Sequence, residues 1–306
     1  MAKTGLVTVL YNSDDVLEGF FKSISAQSYK NYILYLVDNS ENDNTDAIIA
    51  KLVQAYPVAQ YLHIKSEGNI GVAAGNNTGI RKALADGCDY VLLLNNDIEI
   101  EQDNALEKMV SLCEVKEEKL LVPKIFYHDS HKLWMAGGYM DKWRALGVHY
   151  GYKKQDVSKY NLGKYITYAP TCFMIIAKEV FIKVGYMDEK YFAYYDDTDY
   201  VLRATRAGYK LYYEPSVSIL HKVSSSAGGD VSPFYIYYSN RNKVYFIRKN
   251  LEGIKRLFAI SYTLLSRLAF WFLFNRAGKK NLIKGLKDGF RLKILQEAGY
   301  NTSSKR

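Results

Sequence analysis

The chain has 306 residues, of which 48% are hydrophobic and 24% are charged, and its formal net charge at pH 7 is +9. These proportions are those of a globular protein with a sizeable core, so they exclude disordered, collagen-like and coiled-coil proteins. Three widely spaced cysteines without a CxxC pair exclude a disulfide framework and a zinc ribbon, and they favour a reducing, cytoplasmic compartment.

Apolar runs and helical spacings alternate through the first 115 residues. The first apolar run, Leu6–Leu10, is too short for the apolar segment of a secretory signal and predicts a strand. The predicted elements that follow are a helix at 14–26, a strand at 32–37, a helix through 48–53, a strand at 60–64, a helix at 72–85, a strand at 90–94 and a helix at 104–115. Four strand–helix units predict an α/β protein whose parallel sheet is covered on both faces. Ligands of such sheets bind beyond the carboxyl ends of the strands.

The pattern is less regular from residue 123 onward. The predicted elements there are short hairpins over 123–141, a strand at 165–177, helices at 178–184 and 197–207, and a strand at 211–220. No repeat or low-complexity linker interrupts residues 1–240. We therefore expect one continuous domain, with halves of about 1–122 and 123–240.

The last fifth of the chain carries the excess positive charge. Residues 241–306 contain 16 Lys and Arg against 3 Asp and Glu, whereas residues 1–240 contain 25 against 29. Basic and apolar residues are mixed in this basic amphipathic helical region, which suits an anionic membrane surface, and residues 257–274 are too short and polar to span a bilayer. The alternative is a helix packed on the main domain with a solvated basic face. A nucleic-acid partner is disfavoured because no binding motif accompanies the charge.

Polar residues stand where three predicted strands end. A carboxylate such as Asp38 can accept hydrogen bonds from a nucleobase or ribose, or it can cap a turn. Asp97 offers oxygen ligands to Mg²⁺ or Mn²⁺, whose remaining ligands substrate phosphates supply, or it caps the next helix. The strand-end residues are Tyr11, Asn12, Asp38, Asn39, Ser40, Asn95, Asn96 and Asp97.

The segment 68–79 is rich in glycine. Gly71, Gly75 and Gly79 are four residues apart and lie along one helical face. Because glycine lowers helix stability by about 1 kcal/mol per site, this pattern indicates that the sheet or a ligand approaches the backbone closely. The spacing matches neither a dinucleotide fingerprint nor a phosphate loop.

Three carboxylates occupy four positions behind a run of aromatic residues. Mutual repulsion and apolar neighbours raise the pKa of such groups, which suits a general base. The alternative is that they stabilise the first turn of a helix, with Arg203 and Arg206 as partners. The cluster consists of Asp196, Asp197 and Asp199. Its presence makes His221, which follows the last predicted strand, a stronger candidate for a metal ligand.

Taken together and in order, these segments resemble family 2 of the inverting glycosyltransferases, in particular the rhamnosyltransferases and galactofuranosyltransferases of bacterial polysaccharide assembly. The resemblance covers residues 5–250. It implies a GT-A fold, in which a Rossmann-like, mostly parallel sheet that binds the nucleotide is fused to a second, smaller sheet carrying the acceptor site. The segments that carry it are 7–12, 37–40, 69–76, 93–97 and 195–199, together with Arg203 and His221.

The resemblance also implies roles for these residues. Asp38 contacts the base of a nucleotide sugar, Asp97 of the DxD-like segment holds Mg²⁺ or Mn²⁺, and His221 is a further metal ligand. Asp197, which follows Asp196 in the acidic pair, is the catalytic base. Asn95 stands at the first DxD position, so Asp97 is the only carboxylate of that motif. The other residues expected at the nucleotide are Tyr11, Asn12, Asn69, Asn76, Asn95 and Asn96.

The implied activity is metal-dependent, inverting transfer of a sugar such as rhamnose. The donor would be a dTDP- or UDP-sugar, and the acceptor a hydroxyl of a lipid-linked or growing glycan at the inner face of the cell membrane. Trp134 is a further candidate for contact with the donor sugar. A nucleotidyltransferase is disfavoured because the N-terminus lacks a glycine-rich loop with Arg and Lys. A non-catalytic nucleotide-binding membrane scaffold is the other alternative, which Asn95 favours and which Asp97, Asp197 and His221 oppose.

Overall fold

The structure is a computed structural model and describes residues 1–42, 44–222, 232–269 and 271–294. Its strands are β1 (Thr4–Leu10), β2 (Tyr32–Asp38), β3 (Tyr61–Lys65), β4 (Tyr90–Leu94), β5 (Ile98–Glu99), β6 (Leu120–Tyr127), β7 (Leu133–Met135), β8 (Gly138–Asp141), β9 (Leu146–His149), β10 (Lys164–Ile166), β11 (Phe173–Ala177) and β12 (Leu211–His221). Its helices are α1 (Asp14–Ser25), α2 (Asn44–Ala55), α3 (Val72–Ala85), α4 (Ala105–Val115), α5 (Lys178–Val184), α6 (Asp196–Arg206), α7 (Pro233–Asn250), α8 (Gly253–Ala269) and α9 (Arg276–Arg291).

The main sheet has the order β10-β12-β6-β11-β4-β1-β2-β3, with β5 paired to β12 and β7 paired to β6. It is parallel from β4 to β3, and the register aligns Leu10 at the end of β1 with Asp38 at the end of β2. Beyond β4 the sheet is mixed, because β11 runs antiparallel to both of its neighbours. A separate two-stranded sheet is formed by β8 and β9. The predicted α/β architecture with a second, smaller sheet is confirmed.

The sheet itself explains the glycine-rich face of α3. A Cβ atom on Gly75 would lie 2.8 Å from a methyl of Val9, and one on Gly79 would collide with Val7, so both glycines let α3 pack closely on β1. Buried strands support this packing, since all seven residues of β2 are buried, as expected for a parallel strand covered on both faces. The sequence left open whether the sheet or a ligand comes close to these glycines, and the structure shows that the sheet does.

The predicted single strand at 165–177 is wrong, because two strands occupy this stretch. β10 pairs with β12 at the sheet edge, whereas β11 pairs with β4 and β6 in its middle. The chain has to cross between these positions over residues 167–172, and Pro170 in that crossing cannot donate a ladder hydrogen bond. The crossing brings Tyr168 and Cys172 to the candidate site described below.

The chain divides into two compact units, one of Met1–Asp141 and Leu146–Gly229, and one of Lys142–Ala145 and Asp230–Arg306. The first contains both sheets, and the second contains α7, α8 and α9. The division at residue 240 that the charge pattern predicted falls inside α7. No helix among the described residues is both long enough and apolar enough to cross a bilayer.

Candidate active site

The short strand β5 brings Asp97 next to His221. β5 pairs with the end of β12, with Ile98 opposite His221, and the backbone N–H of Lys222 donates to the carbonyl of Asp97 at 2.9 Å. Asp97 Oδ1 and His221 Nε2 are therefore 3.1 Å apart, and both side chains are 7% exposed. Residues that are 124 positions apart in the sequence thus form one buried pair.

This pair fits a divalent cation. Two ligand atoms about 2.1 Å from one ion and at right angles, as in an octahedral Mg²⁺ or Mn²⁺ site, are about 3.0 Å apart, close to the observed separation. Asn95 belongs to the same group, since its Nδ2 lies 3.5 Å from His221 Nε2 and its side chain is exposed. A carboxylate oxygen and an imidazole nitrogen leave the remaining coordination positions to phosphate oxygens and water.

Asn96 joins the loops that follow β4 and β1. Its Nδ2 donates to Ser13 Oγ at 2.5 Å and to the Val9 carbonyl at 3.3 Å, so this amide holds backbone in place. Tyr11 and Asn12 of the same loop have exposed side chains, and the backbone N–H of Asn12 donates to the hydroxyl of Ser40 at 3.0 Å. The Tyr11 ring and the Asn12 amide are exposed, so a ligand can reach them directly.

Asp38 ends β2 and has no exposed surface. Its Oδ1 accepts from the backbone N–H of Ser40 at 2.9 Å, while Oδ2 lies 3.5 Å from His63 Nε2. His63 Nδ1 lies 2.9 Å from Asp46 Oδ1, so the imidazole stands between two carboxylates, and the three side chains form a second group able to hold a metal ion. The predicted contact between Asp38 and a nucleobase requires the residues that cover Asp38 to move. The sequence contained no signal for His63 or Asp46.

The turn before α3 connects the two halves of the site. Asn69 Oδ1 accepts from the backbone N–H of Gly71 at 3.1 Å, and Gly71 has φ 86°, in the left-handed region that favours glycine. The N–H of Val72 donates to the Phe192 carbonyl at 2.7 Å, which ties this turn to the segment before the acidic cluster.

Of the two adjacent asparagines on α3, the predicted Asn76 is buried, and Asn77 makes a connection that sequence reasoning missed. Asn77 Oδ1 accepts from the N–H of Met187, and its Nδ2 donates to the Met187 carbonyl, each at 2.9 Å. Asn77 therefore fixes α3 to the segment that leads to the acidic cluster.

The acidic cluster begins α6. Tyr194 and Tyr195 both have left-handed backbone conformations, and this sharp turn ends at Asp196. Asp197 accepts three hydrogen bonds: the N–H and hydroxyl of Thr198 donate to Oδ1 at 2.5 and 3.0 Å, and the Tyr168 hydroxyl donates to Oδ2 at 3.2 Å. These donors orient the Asp197 carboxylate, which is only partly buried.

The two adjacent carboxyls differ electrostatically. Burial, and next the charge of Asp197, raise the pKa of Asp196 to about 7. Burial also raises the pKa of Asp197, but hydrogen bonds from Thr198 and Tyr168 oppose that rise. Burial therefore favours the protonated form of Asp196 up to about neutrality, whereas the hydrogen bonds from Thr198 and Tyr168 favour the charged form of Asp197.

Asp199, the third carboxylate, forms an internal ion pair. Arg203 Nε donates to Asp199 Oδ2 at 2.8 Å, and the guanidinium also donates to the carbonyls of Val184 and Tyr186. Both side chains of the pair are almost fully buried. The alternative role of the cluster, in which Arg203 is a partner of the carboxylates at the start of a helix, therefore applies to Asp199. Arg203 forms no ion pair with Asp196 or Asp197, all three of which are described residues.

A row of aromatic contacts connects Asp97 with Asp197. The Trp134 ring packs edge-on against His221 at 4.8 Å and against His149 at 4.7 Å. The His149 ring stacks on Tyr168 at 5.7 Å, and the Tyr168 hydroxyl donates to Asp197. His149 lies at the end of β9 and Tyr168 lies in the 167–172 crossing, and no sequence pattern marks either residue as part of the site.

Cys172 provides a second link between the two carboxylates. Burial raises the pKa of its thiol strongly, and the charges of Asp97 and Asp197 both add to that rise. Its carbonyl also accepts from the N–H of Asn95 at 2.9 Å. Contacts within the first unit therefore connect the Asp97–His221 pair with the oriented Asp197 carboxylate.

Comparisons with known proteins identify the family of this chain. The family model described as Glycosyl transferase family 2 matches residues 6–185. The chain is similar to the low-salt glycan biosynthesis hexosyltransferase Agl10 of Haloferax volcanii, with 25% identity over 86% of this chain and 80% of that protein. It is also similar to the dTDP-rhamnosyl transferase RfbF of Shigella flexneri, with 26% identity over 80% of this chain and 79% of that protein.

A solved structure shares the fold. The mannosyltransferase PcManGT from Pyrobaculum calidifontis, in complex with GDP-Man and Mn²⁺, superposes with a TM-score of 0.60 over 94% of this chain and 80% of that chain, at 12% sequence identity. The predicted GT-A fold is thereby confirmed.

Proposed function

The chain belongs to glycosyltransferase family 2, and we propose that it is an inverting, metal-dependent enzyme that transfers a hexose from a nucleoside diphosphate sugar to a hydroxyl of a cell-surface glycan. The observation that carries this proposal is the convergence of the Asp97–His221 pair and Asp197 on one region, linked by Trp134 and Cys172. Glycosyl transfer in polysaccharide synthesis agrees with the family and with the similar hexosyl- and rhamnosyltransferases.

Asp197 is the base in this proposal. Its carboxylate takes the proton of the acceptor hydroxyl while that oxygen forms a bond to the anomeric carbon, and the bond from the anomeric carbon to the diphosphate oxygen breaks. One displacement inverts the anomeric centre, and the electron pair leaves with the nucleoside diphosphate. Thr198 and Tyr168 support this role by holding the carboxylate in one orientation.

Asp97 and His221 are the proposed metal ligands, with Mg²⁺ or Mn²⁺ as the ion. When bound there, the ion neutralises charge on the leaving diphosphate. We prefer this pair to the group of Asp38, Asp46 and His63, which β2, α2 and β3 contribute, because contacts through Trp134, His149 and Tyr168 connect the pair with Asp197. We assign the accessible Tyr11 and Asn12 to the nucleoside, together with Asp38, whose contact requires the residues that cover it to move.

The proposed donor is dTDP-rhamnose. Its support is the similarity to a protein described as a dTDP-rhamnosyl transferase, together with the resemblance to the rhamnosyltransferase branch. A UDP-sugar is the second donor to test.

We also propose peripheral attachment at the inner face of the cell membrane, where a lipid-linked acceptor is available. The second unit exposes large apolar side chains among its basic residues, which suits an anionic lipid surface. The most exposed of these side chains are Ile254, Leu257, Leu265, Leu268, Phe272 and Leu273.

The test is a transfer assay with the purified full chain and a panel of dTDP-, UDP- and GDP-sugars, in Mn²⁺, Mg²⁺ or chelator, in which the anomeric configuration of the product is determined by NMR. We expect Asp197→Asn to lower kcat by about 10²- to 10⁴-fold while nucleotide binding by calorimetry is retained, since a general base contributes that much. Asp97→Asn should instead weaken donor binding only when metal is present.

The matched control is Asp129→Asn, because Asp129 is 98% exposed. It should behave as wild type. Full transfer by Asp197→Asn would refute the assigned base. Tight nucleotide binding by wild type without transfer from any donor would favour the scaffold alternative.

A further inference from the structure

A cleft of about 450 Å³ lies in the first unit next to the candidate active site. It is formed by β9 and the segment that leads to β10, so it belongs to the half of the chain beyond the nucleotide-binding strands. Its lining combines histidine, lysine and tyrosine side chains, namely His149, Tyr150, Tyr152, Lys154, Lys159, Tyr160 and Lys164, with Gly151.

The charge of the cleft is positive and is not balanced internally. No carboxylate in the described parts of the chain forms an ion pair with Lys154, Lys159 or Lys164. The nearby Asp156 carboxylate is engaged by the buried Lys124, whose Nζ lies 2.7 Å away. Burial lowers the pKa of His149 to about 4, so His149 is neutral near pH 7 and the lysines supply the charge.

Aromatic rings lie beside these ammonium groups. Lys164 Nζ lies 4.4 Å from the centre of the Tyr150 ring, and Lys159 Nζ lies 5.0 Å from that of Tyr160. Tyr152 is 47% exposed. Rings of this kind suit the apolar faces of sugars, and ammonium groups bind phosphate oxygens through charge-assisted hydrogen bonds. The lining therefore suits a saccharide that carries a phosphate.

His149 connects the cleft to the base. Its ring lines the cleft and also stacks on Tyr168 at 5.7 Å, and Tyr168 donates to Asp197. The cleft is therefore connected to the Asp197 carboxylate through the stacked rings of His149 and Tyr168.

We propose that this cleft binds the phosphate or diphosphate through which the acceptor sugar is attached to its carrier, with Lys154, Lys159 and Lys164 as the anion-binding residues. The inference rests on the proposed function and adds to it a requirement for an anionic acceptor. A phosphate of the lipid surface itself is the competing occupant, and the donor diphosphate is assigned to Asp97 and His221.

The experiment compares two synthetic acceptors that carry the same sugar, one linked to a short alkyl chain through a diphosphate and the other as a neutral alkyl glycoside. Transfer from a donor that wild type uses is measured for wild type and for the Lys154→Gln/Lys159→Gln/Lys164→Gln variant. The matched control is Lys22→Gln/Lys51→Gln/Lys108→Gln, which removes the same charge from helices α1, α2 and α4. Circular dichroism and Tm verify that both variants fold.

We expect KM for the diphosphate acceptor to rise about tenfold or more in the cleft variant, because two or three charge-assisted hydrogen bonds are lost. KM for the neutral acceptor and for the donor should be unchanged, and the control should resemble wild type. The same rise in KM for both acceptors, or no rise for either, would overturn the proposal.

Two further arms separate the occupants. Binding of the cleft variant to vesicles containing phosphatidylglycerol should equal that of wild type, and a loss confined to this assay would assign the lysines to the membrane surface and overturn the proposal. Calorimetric titration with inorganic pyrophosphate in chelator should show binding to wild type and little to the cleft variant. If wild type transfers no sugar at all, the proposed function fails, and this titration still tests the cleft by itself.

Discussion

At the residue scale, adjacent carboxyls with the same side chain acquire different properties from their surroundings. Asp196 is 6% exposed and its pKa rises to about 7, whereas Asp197 is oriented by Thr198 and Tyr168. The sequence could predict that this cluster is unusual, because repulsion between close carboxylates depends only on their spacing. It named Arg203 as a partner of the cluster but could not predict which carboxylate Arg203 neutralises, since that arginine is also held by the carbonyls of Val184 at the end of α5 and of Tyr186 just after it.

The raised pKa of Asp196 predicts how stability depends on pH. Its folded-state pKa of about 7 lies above the ordinary value of 3.8, so the folded protein holds the proton more tightly. This contribution to stability is complete below about pH 4 and is lost as the pH rises through about 7. Asparagine does not ionise, so Asp196→Asn should not lose stability as the pH rises. At pH 8 the free energy of unfolding of the variant should exceed that of wild type by on the order of 2–4 kcal/mol, since one pKa unit corresponds to 1.36 kcal/mol.

Urea unfolding at several pH values between 4 and 8 measures this effect. The exposed Asp129→Asn serves as the control and should follow the wild-type curve. Parallel pH curves for wild type and Asp196→Asn would show that the carboxyl is not perturbed in the folded state.

At the scale of secondary-structure elements, the ends of the parallel strands could be predicted from the sequence, whereas the path of the chain between distant strands could not. The period of apolar residues predicts β1 to β4, and parallel strands bring their carboxyl ends to one edge, so Asp38 and Asp97 were recognisable as site candidates. The pairing of β5 with β12 depends on long-range contacts, and so does the path of residues 167–172. Consequently the sequence contained no information on Tyr168 and Cys172, which link the acidic cluster to Asp97.

Gly71 is the point where α3 meets the segment before the acidic cluster. A Cβ atom there would lie 2.6 Å from the Phe192 carbonyl oxygen, and φ is 86°. Gly71→Ala should therefore lower the free energy of unfolding by about 2–4 kcal/mol, from left-handed strain and overpacking together. It should also lower kcat, because Phe192 precedes Asp196 and Asp197 by only a few residues.

Gly87→Ala is the matched control, since Gly87 has φ 79° and no neighbouring atom within 4 Å of a Cβ. Left-handed strain alone should lower its free energy of unfolding by about 1–2 kcal/mol, and its kcat should be unchanged. Equal losses of stability and activity in the two variants, measured by urea unfolding and the transfer assay, would argue against a role for the Phe192 contact.

At the scale of the whole molecule, charge and exposed apolar surface both concentrate in the second unit. Its glycines pack α9 on α7, since a Cβ on Gly285 would lie 2.5 Å from the Tyr237 carbonyl oxygen and one on Gly289 the same distance from that of Arg241. In α8, by contrast, Ala259 and Thr263 are the buried residues among those described. The sequence predicted the amphipathic character of this region but left membrane contact and packing as alternatives, because periodicity does not reveal what covers an apolar face.

Exposed apolar residues in and after α8 allow these alternatives to be tested. The Leu265→Ser/Leu268→Ser/Phe272→Ser variant removes side chains that are 66%, 65% and 84% exposed. If they enter the lipid interface, co-sedimentation with phosphatidylglycerol-containing vesicles should fall at least about tenfold, since burying one such side chain contributes about 1.5–3 kcal/mol. Wild-type binding should also weaken with added salt, because the basic residues act through screened charge.

The control Val115→Ser/Leu162→Ser/Ile182→Ser removes side chains of the first unit that are 82%, 67% and 78% exposed. It should bind vesicles as wild type does, because loss of apolar surface alone does not weaken attachment through the second unit. Equal binding by both variants would reject the membrane role of α8, and the exposed face would then require a protein partner to explain it.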